Sequence, residues 1–153
     1  MVQRSGPTDP QSVLFLCSRN TIRSPMAAAL LGHLRGRRIH VQSAGIREGS
    51  EVDGFAVAVM GELGLDIAAH QPQSLADLDD RSFELIVSLS PEAHHQALEL
   101  TRTEAVAVEY WPIPDPTVIE GSRERRLDAY RAVRDALMER IRARFPAPLI
   151  PQH

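Results

Sequence analysis

Short, continuous apolar runs alternate along this chain with longer stretches of helical periodicity. "VLFLC" (13–17) is the first such run and reads as a strand buried on both faces. "SPMAAALLGHL" follows as a helix, with Ser24 placed to cap it and Pro25 at its first position, where a missing N–H costs nothing. "IHVQSAG" (39–45) predicts a second strand that ends in a turn. "DGFAVAVMGELG" (53–64) predicts a helix with Gly64 just past its end. Residues 65–82 read as loop, interrupted at "SLAD" (74–77) by a capping-box pattern and one short helical segment. "FELIVSL" (83–89) is a third strand, and Ser90-Pro91 opens a third helix with the same cap chemistry as Ser24-Pro25. "AVAVEY" (105–110) is a fourth strand, and the three prolines of "WPIPDPT" (111–117) exclude both a helix and a central strand. From Ser122 a long amphipathic helix is expected, with Leu127, Tyr130, Val133, Leu137 and Ile141 on its buried stripe.

Strands that alternate with helices predict an α/β fold in three layers, with a parallel sheet covered on both faces. The 153 residues suit one domain, expected over 13–146, with loose tails at 1–12 and 147–153. Sites in such sheets lie beyond the C-terminal strand ends. That places Cys17, at the end of the first strand, and Asp115, after the fourth, at one edge.

Charge narrows the function. The formal net charge of −3 argues against a nucleic-acid binder. Residues 1–47 nevertheless hold seven arginines against one acid, Asp9, so this part of the chain favours an anion. One cysteine excludes an internal disulfide and a cysteine-based zinc site, and it fits a reducing compartment. No secretory h-region or membrane-length apolar segment is visible, so a cytoplasmic location without membrane partners is expected. No metal or organic cofactor is expected.

The bend "CSRNTIRSP" (17–25) joins a buried strand to a helix N-terminus, a natural anion site. A loop curled around an anion aims successive backbone N–H groups inward, here from Ser18, Arg19, Asn20, Thr21 and Ile22. The loop has no glycine, so Asn20 is the residue best able to adopt a left-handed conformation. Arg23 can clamp two phosphate oxygens with its planar fork. N–H dipoles and a guanidinium stabilise a thiolate, which would make Cys17 a nucleophile beside a captured phosphate. Asp115, held between Pro114 and Pro116, is the candidate acid for the leaving oxygen. The competing reading of Asp115 is a turn residue that caps neighbouring N–H groups.

These residues resemble the signature of low-molecular-weight protein tyrosine phosphatases and the related arsenate reductases. The resemblance rests on "VLFLCSRNTIRSPMAAAL", "SAG" (43–45), "GLDIAAHQPQSL" (64–75) and "DP" (115–116), in that order. It implies a four-stranded parallel sheet with flanking helices. It also implies that Cys17 is the nucleophile, Arg23 the transition-state clamp and Asp115 the acid. Ser24 would supply a hydroxyl that stabilises the thiolate. Asn20, Ser43 and His70 would form a hydrogen-bond network that holds the loop. His94 and His95 have no counterpart and are expected on a helix surface.

Three positions depart from the family pattern. Arg19 stands where many members carry a small residue, and it adds charge at the rim. Ile22 stands where many phosphatases carry a second cysteine. Thr117 and Val118 replace an aromatic pair that walls the site, and Tyr110 and Trp111 are expected to pack in the core instead. The expected activity is hydrolysis of phosphotyrosine or aryl phosphate monoesters, on a phosphoprotein or a small phosphomonoester. The alternative is arsenate reduction. With one cysteine, that reaction would depend on an external thiol or a glutaredoxin-type partner, and "WPIPDPT" resembles that branch. A phosphate-binding module without turnover is the third reading, and it would have no use for the acid.

Overall fold

A computed structural model of the chain describes residues 9–146. Four strands form one parallel sheet: β1 Ser12–Cys17, β2 His40–Gly45, β3 Leu85–Ser88 and β4 Ala107–Tyr110. Their order is β2-β1-β3-β4. The helices are α1 Arg23–Arg35, α2 Gly54–Gly61, α3 Pro91–Leu100 and α4 Arg123–Arg144. Among the described residues no helix is long and apolar enough to cross a membrane.

The continuous apolar run of β1 has its reason in the topology. β1 pairs with β2 on one side and β3 on the other, so both of its faces are covered. Val13, Phe15 and Cys17 point into a core shared with α1, α2 and α4. Leu14 and Leu16 point into a second core with Ala93 and Ala97 of α3. The chain leaves β1 for β2 on one side and returns to β3 on the other. This reversal opens a crevice at the C-terminal end of β1. The register sets Cys17 beside Gly45 at that edge.

Several elements differ in detail from the sequence expectation. Residues 10–12 are not loose: Pro10 is buried, Gln11 bonds both Glu84 and His40, and β1 starts at Ser12. The expected tails at 1–8 and 147–153 lie outside the described residues. α2 ends at Gly61, but the next turn closes as expected at Gly64, which has φ +77°. Gly64 N–H donates to the Gly61 carbonyl and Leu65 N–H to that of Met60, the paired bonds of a Schellman end. At "SLAD" a 3₁₀ turn, Leu75–Asp77, forms without a side-chain cap from Ser74. Instead a hydrogen bond with Glu48 and, second to it, bonds from Ser74 hold the Asp77 carboxyl below the usual carboxylate range. The Asp115 segment also forms a 3₁₀ turn, Pro116–Val118.

α4 buries the five expected residues and is held to α2 by charge. Arg131 and Arg134 both bond Glu62 and pull its carboxyl down to about 2. Tyr130 donates to Asp53 across 3.1 Å, and Asp53 also caps α2 through the N–H groups of Phe55 and Ala56. Burial and the Asp53 charge push the Tyr130 hydroxyl well above its usual range. Tyr130→Phe removes a donor to a carboxylate, so it should lower unfolding free energy by about 1.5–3 kcal/mol in urea titrations.

Candidate active site

The 17–23 loop is shaped from outside. The Cys17 carbonyl accepts from Ile46 N–H at 3.0 Å, Ser18 from Arg47 at 3.1 Å, Arg19 from Gly49 at 2.9 Å and Thr21 from Asp53 at 3.0 Å. The Asn20 carbonyl meets His70 Nε2 at 3.1 Å. In a planar trans peptide N–H lies opposite C=O, so carbonyls held outward leave the N–H groups facing in. Asn20 N–H points at Cys17 Sγ, 3.3 Å away. Asn20 is the one non-glycine residue with positive φ among those described, at 60°, as its residue type predicts.

Close packing against the loop explains a glycine in "SAG". A Cβ on Gly45 would lie 2.6 Å from the Arg47 oxygen, 2.7 Å from the Arg19 carbonyl carbon and 2.8 Å from Asn20 N. All three are backbone atoms of segments that are themselves pinned.

Beneath the loop, Asn20 is fully buried and its amide is fully used. Nδ2 donates to Ser24 Oγ at 2.8 Å and to Ser43 Oγ at 2.9 Å. Oδ1 accepts from Gln73 N–H at 2.9 Å and from His70 Nε2 at 3.0 Å. Both His70 contacts are acceptors, so Nε2 carries the hydrogen. Burial holds the His70 pKa below the usual imidazole value, against the opposing pull of the Asn20 carbonyl.

Ser24 does not take the first of its two expected roles, the cap of α1. α1 begins at Arg23, with Ile22 at the cap position and no side-chain cap. Ser24 Oγ lies 2.8 Å from Cys17 Sγ and 3.4 Å from the Ala44 carbonyl. Either atom of the Ser24–Cys17 pair can donate, and the Ser24 hydroxyl can also donate to the Ala44 carbonyl. Ser90, in the same Ser-Pro context, does cap its helix, accepting from Ala93 N–H at 3.2 Å. The difference is location: the start of α1 faces the crevice, and its hydroxyl is taken by the thiol.

An open cavity of about 470 Å³ lies over the loop. Cys17, Ser18, Arg19, Thr21, Ile22, Arg23 and Asp115 line it, together with Arg47 and Thr117. Asn20 and Ser24 stand below it, and Ser43 and His70 farther back. Arg23 donates to the Ile113 carbonyl at 3.0 Å, which ties it to the segment carrying Asp115. Asp115 is also the turn residue that competed with the acid reading. Its Oδ1 accepts from Thr117 N–H at 2.9 Å and from Thr117 Oγ1 at 2.7 Å. Burial would raise the Asp115 pKa, but the two Thr117 bonds and the Arg23 charge outweigh it and hold the carboxyl low.

Sequence reasoning missed Arg47, Gln73 and Asp53. Arg47 follows β2 by two residues and so had to reach the same edge as Cys17. Gln73 and Asp53 act mainly through backbone N–H groups, which no residue type announces. Trp111 packs in the core as expected, but Tyr110 is only half-buried and belongs to neither core. Trp111 is buried between Phe15 and Phe145, and Tyr110 stacks on His94 at 4.4 Å. His94 corrects the helix-surface expectation: it is half-buried and bonded to Ser88 Oγ, while His95 is exposed.

Fold and site together define an α/β protein with a cysteine in the loop between its first strand and first helix. The family model for low molecular weight phosphotyrosine protein phosphatase matches residues 12–147, and the chain belongs to that family. A glutaredoxin arsenate reductase from Synechocystis sp. is 30% identical over 131 residues, which span 86% of this chain and 93% of that relative. A protein-arginine-phosphatase from Geobacillus stearothermophilus is 34% identical over 141 residues, 84% of this chain and 89% of the relative. The crystal structure of the Erwinia amylovora tyrosine phosphatase AmsI shares the fold with a TM-score of 0.72, at 23% identity over 89% of this chain and 91% of that one. These relatives are enzymes, and the chain is an enzyme of the same family.

Gly45→Ala forces two pinned backbone segments apart. Turnover should fall by about a hundredfold or more, comparable to a lost preorganised donor set, on whichever of an aryl phosphate and arsenate the enzyme accepts, with a lower Tm in thermal melts. Ser24→Ala removes the hydroxyl beside Cys17 Sγ and should slow turnover by roughly tenfold, the loss of one hydrogen bond, read as kcat on the same substrate.

Proposed function

We propose that this enzyme is a cysteine-dependent phosphatase that hydrolyses phosphotyrosine or aryl phosphate monoesters through a phosphocysteine intermediate. The observation that carries the reading is the pair of hydrogen bonds at Cys17 Sγ, one donated by Asn20 N–H and one shared with the Ser24 hydroxyl, in a cavity shared with Arg23 and Asp115. Family membership and a relative named a phosphatase support it.

The Cys17 thiolate attacks phosphorus and the P–O bond to the leaving group breaks. The departing oxygen takes a proton from Asp115. Inward N–H groups and the Arg23 fork hold the equatorial oxygens as charge builds on them. Water then attacks the phosphocysteine and gives its proton to Asp115. The S–P bond breaks, inorganic phosphate leaves, and the Ser24 hydroxyl donates to the released thiolate. A reducing, cytoplasmic setting suits a mechanism with one free thiol.

The charge on Asp115 fits this cycle. In the empty site Thr117 and Arg23 keep it ionised. A phosphoryl group placed beside it acts the other way, because like charges disfavour joint ionisation. Asp115 therefore gains its proton with the substrate, and activity declines as pH rises.

Arsenate reduction is the second reading, favoured by the relatives named arsenate reductases. Arsenate would occupy the same loop and Cys17 would form the S–As bond. The two electrons that take As(V) to As(III) would come from external thiols, oxidised to a disulfide, since the chain has one cysteine.

The test is hydrolysis of para-nitrophenyl phosphate by metal-free protein. Cys17→Ser should abolish turnover. Asp115→Asn should lower it by about 10²–10⁴-fold and remove the declining alkaline limb of the pH profile. No turnover by the unmodified protein from mildly acidic to neutral pH overturns the phosphatase reading, and glutathione- and glutaredoxin-dependent arsenate reduction is then assayed.

A further inference from the structure

No aromatic wall faces a substrate ring in the cavity. Its lining holds no aromatic side chain, and the two nearby aromatics are committed to Phe15, Phe145 and His94. What the lining holds is charge: Arg19, Arg23 and Arg47 against Asp115 alone. Arg23 sits at the base of the site and is the clamp of the proposed mechanism. Arg19 and Arg47 belong to the mouth.

Both mouth arginines are anchored through their backbones, and their side chains reach the solvent-exposed rim. Gly49 holds the Arg19 carbonyl, and Arg47 N–H holds that of Ser18. The Arg19 side chain is exposed, with no carboxylate at ion-pair distance among the described residues. Arg47 pairs with Glu92 at 2.6 Å, with side chains 54% and 43% exposed. Solvent-exposed pairs of this kind contribute little, so an incoming anion can compete for Arg47. Arg47 does most to hold the Glu92 carboxyl below its usual range, and other partners remain when Arg47 leaves. Glu92 lies in the first turn of α3, where the helix dipole favours a carboxylate, and Ser18 donates to it.

We propose that Arg19 and Arg47 form a cationic rim that selects phosphomonoesters carrying a second anionic group, such as a carboxylate, beside the phosphoryl group. Glu92 occupies Arg47 in the empty site and yields it to that group. The inference rests on the hydrolytic reading above and names the substrate class of the same site. The second anion can belong to a small molecule or to acidic residues that flank a phosphoryl group on a peptide.

The experiment compares kcat/KM for two substrate pairs. One pair is para-nitrophenyl phosphate and an aryl phosphate with a ring carboxylate. The other is a phosphotyrosyl peptide flanked by serines and one flanked by glutamates. The anionic member of at least one pair should be favoured by about three- to tenfold at low salt, the effect of two screened surface charges. The preference should fade near 1 M salt, where screening reaches about 3 Å. Preference in the aryl pair places the second anion on a small substrate, and preference in the peptide pair alone places it on flanking residues. The double variant Arg19→Gln, Arg47→Gln should bring the ratio near one, and Glu92→Gln should raise it. Equal kcat/KM within both pairs, or a preference that survives the double variant, overturns the rim and leaves the phosphatase reading standing. No hydrolysis of any substrate overturns both.

Discussion

The structure depends on a single constraint: five consecutive carbonyls, from Cys17 to Thr21, are held outward. Four are held by N–H groups of residues 46–53 and the fifth by His70. Peptide planarity does the rest, since outward carbonyls leave inward N–H groups. A concave array of donors is unstable as a free loop, because those donors repel one another and have no partner. It persists here because the second strand and its exit segment fold against the first. Gly45 lets that segment come within backbone contact, and the register Cys17 to Gly45 puts it there.

The tightest bend of the loop falls at Asn20, and the solution differs from the glycine that many phosphate loops use. A left-handed asparagine costs of order 1 kcal/mol or more relative to glycine's freedom. Asn20 offsets that cost with four side-chain hydrogen bonds, to Ser24, Ser43, Gln73 and His70. The strained residue is thereby the hub of the layer beneath the site. Other contacts carry the loop outward to the rest of the molecule. Ser18 meets Ser90 at the start of α3, Thr21 meets Asp53 and through it Tyr130 of α4, and Arg23 meets Ile113 beyond β4. Every layer of the fold therefore bears on the geometry of one seven-residue segment.

Much of this was legible in the order of residues. The four apolar runs, the stripe on α4, the prolines after β4 and the Cys17-to-Arg23 spacing locate the sheet, the crevice and the reactive group. Those features are local, or follow from topology. What stayed hidden depends on three-dimensional competition for one hydrogen atom or one lone pair. Ser24 and Ser90 have the same sequence context, yet only Ser90 caps its helix, because a thiol competes for Ser24. Gln73 and Asp53 act through backbone N–H groups, which carry no residue-type signal. Arg47 and Glu92 are 45 positions apart and meet only because both belong to the same edge of the sheet. His94 reads as surface from its neighbours, but Tyr110 at the end of β4 gives it a stacking partner.

Asp115 shows why two readings of one residue need not exclude each other. The Thr117 bonds that make it a turn residue also fix its position at the cavity. Those same bonds favour the ionised form, which is the wrong form for an acid. A carboxyl that stayed protonated in the empty site would need deep burial, and this edge of the sheet is too open to provide it. In the proposed cycle the substrate's own charge supplies the shift, so that Asp115 takes up its proton when a phosphoryl group is present. The Asx turn then contributes precise placement, and the arriving anion contributes the proton affinity. Neither alone would serve, and the rigid Pro-Asp-Pro segment is where the two requirements can meet.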